Sequence, residues 1–469
     1  MAVLATPGFD LQPSAEQVAL ASNYITNFDF LNQYLPDTYE KEFERYGNRT
    51  VASFLRLVGA EMPSNSDLIK WAEQGRLHTK YTAMTAGAAA AASSNNTYTV
   101  NDANVTGIAL RAGQTVMIVN PAANQSVKGI ITLVNNTGGT GVGQVTVAYY
   151  AGTGQPWAAA TANLTLFVYG SEFGKGTNGM VGSLEAEDVF FDNKPIIIKD
   201  KYAVSGSDMA QIGWVEISTE NGGTGYLWYL KSEHETRLRF EDYLETAMIE
   251  AVPATAGAGS GVSAATQGSE GIFYVVEQRG NVWGGGNPQV LGDFDAVIQR
   301  LDKQGAIEEN VIFLNRQFGF DVDDMLAAQN SYGAGGTSYG LFDNDEEMAL
   351  NLGFSGFRRG YDFYKTDWKY LNDPTMRGGI TGAGVGINGL LVPAGSTSVY
   401  DQILGKNAKR PFLHVRYRAS ETEDRRYKTW ITGSAGGART SDLDAMEVNF
   451  LSERAVCTLG ANNFFIFKD

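Results

Sequence analysis

Hydrophobic residues recur at helical spacing most clearly between about Tyr226 and Val252. One apolar stripe occupies positions i, i+4, i+7, i+8 and i+11, which are Phe240, Leu244, Ala247, Met248 and Ala251. The opposite face is rich in charged residues, and Pro253 ends the pattern. A helix of about 26 residues, rising about 1.5 Å per residue, is about 40 Å long. The pattern therefore predicts a long structural helix whose stripe packs against the rest of the protein.

Residues 14–77 show a second helical pattern. Ser14 and Gln17 fit a capping box, and a further helix is predicted from Leu68 to Arg76. Large apolar side chains are concentrated in this region, at Phe28, Phe30, Leu31, Tyr34 and Leu35. They indicate either ordinary core packing or an arm that buries its rings against a neighbouring subunit.

The composition changes abruptly at about residue 81. Between Tyr81 and Gly170 the only charged residues are Asp102, Arg111 and Lys128. Short β-branched runs alternate with turn signals and predict six strands: Thr97–Val100, Val105–Leu110, Thr115–Val119, Ile130–Val134, Val145–Tyr150 and Leu164–Tyr169. Such spacing favours a small antiparallel sandwich or barrel, inserted at about residues 88–170.

Alternating α and β patterns follow the module. Val189–Phe191, a turn at Asp192-Asn193 and Pro195–Asp200 predict a hairpin. Beyond the long helix, the pattern predicts helices at Leu291–Gln304 and Asp321–Gln329. Strands are predicted at Ile272–Glu277, Val311–Asn315, Phe357–Tyr364, Gly389–Val392, Phe412–Arg418, Glu447–Leu451, Ala455–Leu459 and Asn463–Phe467. The fold class is therefore α+β.

Composition and charge reduce the number of functional classes that fit the chain. The chain has 36 Lys and Arg residues against 52 Asp and Glu residues, a net charge of −16, which disfavours nucleic-acid binding. The single cysteine, Cys457, forms no internal disulfide and supplies no thiolate cluster. The first residues lack a basic n-region, and no run of 18 apolar residues occurs, so we expect neither a secretory signal nor a membrane span.

No catalytic motif stands out in the sequence. It contains no Gly-x-Ser-x-Gly elbow, no phosphate-binding loop and no pair of histidines at His-x-x-x-His spacing. Two acidic clusters, Asp321/Asp323/Asp324 and Asp343/Asp345/Glu346/Glu347, could ligate calcium, but the second lacks the glycine and the distal glutamate of an EF-hand loop. Acidic residues at a helix start and a solvated loop explain both clusters more simply. We expect no catalytic residue, no metal site and no cofactor.

Five segments, with the order of elements, resemble a known family. Residues 192–200, leading to residues 238–248, are similar to the E-loop strand and spine helix of the major capsid protein of tailed bacteriophages, which has the HK97-like fold. Phe294–Leu301 and Asn310–Asn315 resemble the helix and strand of its A-domain, and residues 447–457 resemble its closing P-domain strands. The Asn-rich polar insertion and the large arm favour a crAss-like phage.

The resemblance implies a domain order along the chain. A helical N-terminal arm region occupies residues 1–87, the inserted β-rich module 88–170, and the E-loop hairpin with the start of the P-domain 171–225. The spine helix of the P-domain then occupies 226–260, the A-domain 261–405, and the C-terminal strands returning to the P-domain 406–469. The N-terminus shows no scaffolding segment.

The resemblance also implies a function without catalysis. The subunit would self-assemble into hexamers and pentamers that form an icosahedral head enclosing dsDNA without binding it specifically. Portal, scaffolding, and decoration or head-fibre proteins are the expected partners, and the virion, assembled in the host cytoplasm, is the expected location. Residues predicted to make intersubunit contacts are Asp192 and Asn193 at the E-loop tip, and Arg237, Arg239, Glu241 and Asp242 as a charge network on the spine helix.

Two alternatives from other classes remain. A tail-associated or surface adhesin would use the β module to bind carbohydrate, with Trp157 exposed in a groove. An acidic carbohydrate-active enzyme would place two carboxylates across a cleft.

Overall fold

The computed structural model describes residues 54–55, 60–88, 93–101, 108–136, 143–152, 154–184, 188–210, 217–218, 224–225, 227–254, 266–305, 307–330, 356–401, 406–435, 437 and 439–469. Residues 1–53 of the predicted helical arm and the acidic cluster at 343–347 lie outside them. The chain forms two compact units. The first comprises Met1–Thr50, Lys201–Arg239 and Ile431–Val448, and the second Val51–Asp200, Phe240–Trp430 and Asn449–Asp469.

The described strands are, in chain order, β1 (Ala60–Ser64), β2 (Ile69–Gln74), β3 (Lys80–Ala86), β4 (Asn95–Val100), β5 (Gln114–Asn120), β6 (Gln125–Asn135), β7 (Gly143–Tyr149), β8 (Leu164–Ser171), β9 (Asp188–Asn193), β10 (Ile196–Ser205), β11 (Ile217–Ser218), β12 (Thr224–Gly225), β13 (Asn281–Gly284), β14 (Glu309–Leu314), β15 (Gly356–Arg359), β16 (Tyr361–Asp367), β17 (Ile387–Pro393), β18 (Ser396–Asp401), β19 (Lys406–Pro411), β20 (Leu413–Arg418), β21 (Lys428–Gly433), β22 (Ala445–Thr458) and β23 (Phe465–Lys468).

The described α-helices are α1 (Gly206–Ala210), α2 (Leu227–Glu250), α3 (Ile272–Arg279), α4 (Leu291–Gln304), α5 (Arg316–Asn330) and α6 (Lys369–Asn372). Helix α2 is the predicted long helix. No helix in the described part of the chain is long and apolar enough to cross a bilayer.

An all-β module in the second unit closes on itself. Its strands follow the order β3-β4-β7-β6-β5-β8, and the pairing of β8 with β3 completes a six-stranded barrel. Alternate side chains fill the interior, among them Met84, Tyr98, Val116, Ile118, Val147 and Leu166. The predicted fold class, α+β with an inserted all-β module, is confirmed.

The barrel begins before the predicted boundary at residue 88. Five of the six predicted strands are present, but 108–110 is not a strand, and 102–107 lies outside the described residues. The sixth strand is β3, Lys80–Ala86, which pairs with both β4 and β8. Four of its seven residues are small Ala or Thr, and it is followed by the Ala-rich segment at 88–92, which has the composition of a hinge, so the sequence places the boundary after β3.

A polar cluster is buried inside the barrel. Gln155 accepts hydrogen bonds from Asn96 Nδ2 at 2.7 Å and from Tyr149 Oη at 3.2 Å, and its own amide donates to Trp157 O at 3.2 Å. Tyr98 and Tyr149 are joined through their hydroxyls, and burial raises the pKa of both phenols. Trp157 is only 4% exposed, so the groove ring expected of the adhesin is a core residue here.

Removing the Gln155 side chain is expected to loosen the barrel selectively. Gln155→Ala leaves buried donors without their acceptor, which costs about 2–3 kcal/mol of stability. Hydrogen exchange measured by mass spectrometry checks this result as faster exchange at β4 and β7. Gln144→Ala is the control, because it truncates an exposed side chain of β7. We expect it to change stability by less than about 0.5 kcal/mol. Equal exchange in the two variants would contradict the role of the cluster.

Strands β2 and β9 form a two-stranded antiparallel ribbon that leads to the barrel. Gln74 pairs with Asp188 at the barrel end, and Ile69 pairs with Asn193 at the other end. The predicted helix Leu68–Arg76 is therefore wrong, because the residues of β2 alternate between buried and exposed faces of a strand. The predicted hairpin of 189–191 with 195–200 is also wrong: β9 pairs with β2, whereas β10 joins another sheet.

A five-stranded sheet contains the C-terminal strands. Its order is β1-β20-β22-β10, with β21 pairing to β22 as well. Strand β1 runs parallel to β20, and β20 runs antiparallel to β22. The long strand β22 joins two strands predicted separately, Glu447–Leu451 and Ala455–Leu459, into one.

A mixed six-stranded sheet, β13-β23-β17-β14-β16-β15, is buried on both faces. Ile312 and Leu391 face α4 and α5, in a core with Phe294, Phe318 and Phe465. Neighbouring residues Phe313 and Leu390 point the other way, into a core shared with α2 and α3. The predicted strand Ile272–Glu277 is α3, since a short run of buried apolar residues does not distinguish a strand from a buried helix.

The described part of the first unit contains the end of β10, α1, the β11–β12 pair, the first half of α2, and residues 431–448 apart from 436 and 438. Lys201 Nζ lies 2.9 Å from Glu447 Oε1. Gly433 has φ +125°, and a Cβ there would lie 1.8 Å from Ala445 O. This close approach admits only glycine.

Candidate functional site

Two cavities in the described part of the chain are lined without histidine or cysteine. One, of about 50 Å³, is lined by residues that include Phe320, Asp323 and Lys365, and a Lys365–Asp323 ion pair lies beside it. It is smaller than the usual small-molecule pocket of about 300–1,000 Å³. The other is an open depression of about 770 Å³, lined by residues that include Pro63, Arg416 and Glu421. No group of three or more acidic, histidine or cysteine residues among those described is placed to hold a metal ion.

The predicted stripe of α2 lies on the inner side of the helix in the second unit. Phe240, Leu244 and Met248 are buried, and Ala247 and Ala251 are partly buried. The Phe240 ring stacks on Phe450 of β22 with centroids 5.7 Å apart, and meets Tyr427 edge-on at 5.4 Å. These contacts hold the helix on the C-terminal strands.

A second buried stripe of α2 was missed by the sequence analysis. Asp242, Glu245 and Ile249 lie at i, i+3 and i+7 and are all buried. Glu245 Oε1 accepts a hydrogen bond of 2.8 Å from the backbone N–H of Phe54. Asp242 is 9% exposed, so it is buried within its own chain and not at the surface position that the predicted charge network requires.

The other members of the predicted charge network lie on or near the surface of α2. Arg237 and Arg239 are exposed and Glu241 is partly buried. Arg237 Nη2 lies 3.6 Å from Glu233 Oε1, one turn earlier in the same helix. An exposed pair of this kind contributes about 0.3–0.5 kcal/mol. The intersubunit role of these residues stays a prediction.

Asn193 is the centre of a hydrogen-bond cluster at the end of the ribbon farthest from the barrel. Its Nδ2 donates to Val456 O at 2.7 Å and to Glu270 O at 2.9 Å. Its Oδ1 accepts from Ser269 Oγ and Glu270 N, both at 2.9 Å, and from Lys194 N at 2.8 Å. The side chain is 3% exposed, so Asn193 is a buried joint and not the exposed tip that the sequence predicted.

The neighbour of Asn193 in sequence has the opposite environment. Asp192 is exposed and pairs with Lys70 across the ribbon. Because consecutive strand residues point to opposite faces, one of the two predicted tip residues faces solvent and the other faces the interior.

Aromatic rings of the ribbon pack under Arg279 of α3. The guanidinium carbon lies 4.2 Å from the Phe191 ring centroid and 5.9 Å from that of Trp71. Arg279 Nη2 also lies 2.8 Å from Glu270 Oε2. On the same face, Glu73 accepts a hydrogen bond of 2.9 Å from the backbone N–H of Gly460. The ribbon is therefore attached along its length to the rest of the second unit.

Burial raises the pKa of Glu270, and the negative charge of Asp192 adds to the shift, while Arg279 opposes it. The folded state therefore binds this proton at higher pH than the unfolded chain, whose carboxyl has a pKa of about 4.5. Ionised Glu270 therefore lowers the stability of the folded chain. This loss disappears as the pH falls through the pKa that Glu270 has in the folded state, because the carboxyl is then protonated.

Glu270→Gln is accordingly expected to gain stability relative to the natural chain as the pH rises above about 4.5. Urea unfolding at a series of pH values measures this difference. Arg279→Gln removes the opposing cation and is expected to move the transition to higher pH. A difference that does not change with pH would contradict the raised pKa.

Strand β22 also holds buried charged side chains that the sequence did not reveal. Arg454 is buried, which lowers its pKa, and its Nη2 donates to Arg426 O at 3.0 Å. Arg454 Nη1 lies 3.5 Å from Glu61 Oε1 of β1, and Glu453 Oε2 lies 2.7 Å from Arg425 Nε. Breaking one such pair leaves a buried charge uncompensated, which typically costs about 3–5 kcal/mol.

Three solved structures illustrate what the chain is similar to. A structure from Microbacterium phage Oxtober96 is 11% identical, with a TM-score of 0.40, over 95% of this chain and 99% of that chain. The capsid of a native GTA particle is 8% identical, with a TM-score of 0.35, over 93% of this chain and 96% of that chain. The capsid of cyanophage Pam1 is 12% identical, with a TM-score of 0.37, over 64% and 82%.

No protein family and no curated protein matches the sequence. That the chain comes from a crAss-like phage stays a prediction. The chain is similar to phage and capsid structures.

Proposed function

We propose that this chain is the major capsid subunit of a tailed phage. The observation that carries the proposal is the order of its elements. A ribbon bearing the inserted barrel precedes β10 and the long helix α2, a mixed sheet with helices on both faces follows, and β20 to β22 return to the sheet of β1. This is the order that the resemblance to the HK97-like fold implies, with α2 as the spine helix.

The mechanical features suit a shell. Helix α2 is 24 residues long and packs on β22 through Phe240 and Phe450, which makes a stiff beam. Head-to-tail contacts between identical subunits close rings, here hexamers and pentamers, and many weak contacts per subunit stabilise the lattice. A net charge of −16 keeps the wall from adhering to the dsDNA that the icosahedral head encloses.

The partners and location follow from the same proposal. The subunit joins copies of itself, assembles in the host cytoplasm and resides in the virion, with portal, scaffolding, and decoration or head-fibre proteins as further partners. Its role is structural and not enzymatic.

Electron microscopy and sedimentation velocity of the expressed chain test the proposal. The chain is purified alone and after co-expression with the scaffolding protein encoded beside it. Capsomers or uniform shells are the expected result in at least one condition. A folded monomer in both conditions, at concentrations up to about 100 µM, where weak protein contacts with a Kd of micromolar order form, would contradict it.

A further inference from the structure

A continuous row of side chains crosses the outer face of the barrel. Lys80 of β3 pairs with Phe167 of β8, Phe167 with Met117 of β5, and Met117 with Lys128 of β6. Tyr150 continues the row just beyond β7, since its backbone N–H donates to Lys128 O at 3.2 Å. Because directly paired residues share a face of the sheet, these five side chains are neighbours.

Aromatic rings in and beside the row are open to solvent. Phe167 is 37% exposed, Tyr150 is 51% exposed, and Tyr169, two residues after Phe167, is 49% exposed. Lys128 Nζ lies 5.7 Å from the Tyr169 ring centroid, and the Tyr150 hydroxyl is hydrogen-bonded to Glu172. The rings are thus held in place before any partner binds. Pre-ordered aromatic side chains are the usual anchors of protein interfaces.

The charge of the barrel is opposite to that of the rest of the chain. Residues 80–171 contain three basic residues, Lys80, Arg111 and Lys128, against one acidic residue, Asp102, which gives +2. With −16 for the whole chain, the remaining residues therefore carry −18. Lys80 and Lys128 lie on either side of the Phe167–Met117 pair, so this part of the row is an apolar strip flanked by positive charge. The Glu172 carboxylate is bonded to Tyr150 at the far end of the row.

Phe173, just beyond the barrel, packs over Gly113 and is 41% exposed. It is a further exposed aromatic ring on the segment that follows β8.

We infer that the row Lys80–Phe167–Met117–Lys128–Tyr150, with Tyr169, binds an acidic face of a second copy of this chain. The inference rests on the proposed function, in which identical subunits surround one another. A second copy fits because its residues outside the barrel carry a net charge of −18, which complements the two lysines. Apolar side chains on that copy can pack against the apolar strip. The polyanion DNA fits less well, since two lysines separated by apolar side chains neutralise few phosphates.

The test uses the full chain under conditions in which the natural chain assembles. Phe167→Thr/Tyr169→Thr removes two rings but keeps β-branched residues that suit a strand. The expected result is a rise of about tenfold or more in the protein concentration needed for assembly, measured by light scattering and electron microscopy, because each loss is repeated at every contact of the lattice. Leu133→Thr is the matched control, because Leu133 is exposed on the same barrel but outside the row.

A second pair of variants tests the charges. Lys128→Gln and Gln144→Glu each make the net charge more negative by one, but Gln144 lies at the other end of β7 from Tyr150. Lys128→Gln is expected to raise the assembly concentration severalfold and to weaken its dependence on salt, whereas Gln144→Glu does neither.

The outcomes separate this inference from the proposed function. If the natural chain forms shells and the row variants assemble at the same concentration as Leu133→Thr and Gln144→Glu, the row is not a subunit contact and the inference is wrong. If the natural chain forms no assembly in any condition, the proposed function fails, and the inference fails with it. Hydrogen exchange of the barrel strands distinguishes a lost contact from an unfolded barrel, and only a folded barrel with impaired assembly supports the inference.

Discussion

Leu244→Asp is expected to abolish the soluble folded chain. Leu244 is 6% exposed on the stripe of α2 that contains Phe240 and Met248. The change removes a buried aliphatic side chain, at a cost of about 2–5 kcal/mol. It also places a carboxylate in an apolar interior, which destabilises the fold further. The sum is comparable with the whole stability of a typical domain, about 5–15 kcal/mol. Soluble yield and far-UV circular dichroism measure the effect.

The adjacent residue supplies a matched control. Tyr243 is 46% exposed on the same turn of α2, and Tyr243→Asp makes a chemically similar change there. We expect this variant to fold with a loss of less than about 1 kcal/mol. Normal folding of Leu244→Asp, or equal loss in both variants, would show that the packed face of the helix is assigned incorrectly.

Asn193→Ala is expected to release the ribbon from the rest of the second unit. The change leaves Val456 O, Glu270 O and Glu270 N without their side-chain partner in a buried site. Each buried group left unsatisfied costs about 1–3 kcal/mol, and the surrounding structure relaxes in part. We therefore expect the free energy of unfolding to fall by about 3–5 kcal/mol. Urea unfolding measures the stability, and hydrogen exchange at β2 and β9 shows whether the ribbon opens first.

Asp192→Ala is the control for this effect. Asp192 is exposed beside Asn193 in the same strand, so its removal is expected to change stability by no more than about 0.5 kcal/mol. Protection of the β2 and β9 amides that is equal in Asn193→Ala and Asp192→Ala would contradict the role of Asn193 as the joint of the ribbon.

Elements with a long or regular pattern could be predicted from the sequence. Helix α2 shows five apolar positions at helical spacing, and helix α4 and strand β14 lie close to their predicted positions. Five barrel strands were recognised because β-branched residues alternate between clear turn signals. In each of these elements, local pattern and tertiary environment favour the same structure.

Elements whose structure depends on distant partners could not be predicted in this way. Residues 69–74 contain apolar and charged residues compatible with a helix, and become a strand because β9, more than 100 residues later, pairs with them. Asn193 has the local sequence of a turn, yet it is buried because Ser269, Glu270 and Val456 surround it. Asp242 looks exposed in sequence because an acidic side chain is usually solvated, and only the packing of α2 shows otherwise.

The pairing of Gln74 with Asp188 has an evolutionary consequence. The chain leaves the ribbon after Gln74 and returns to it at Asp188, and these two residues lie directly opposite each other. A tight turn between them could therefore close β2 onto β9 without altering any strand outside the module. A genome could gain, lose or exchange the whole module in a single recombination event, and the parent scaffold would keep its fold. The same two positions offer a natural junction for displaying a foreign domain on every subunit.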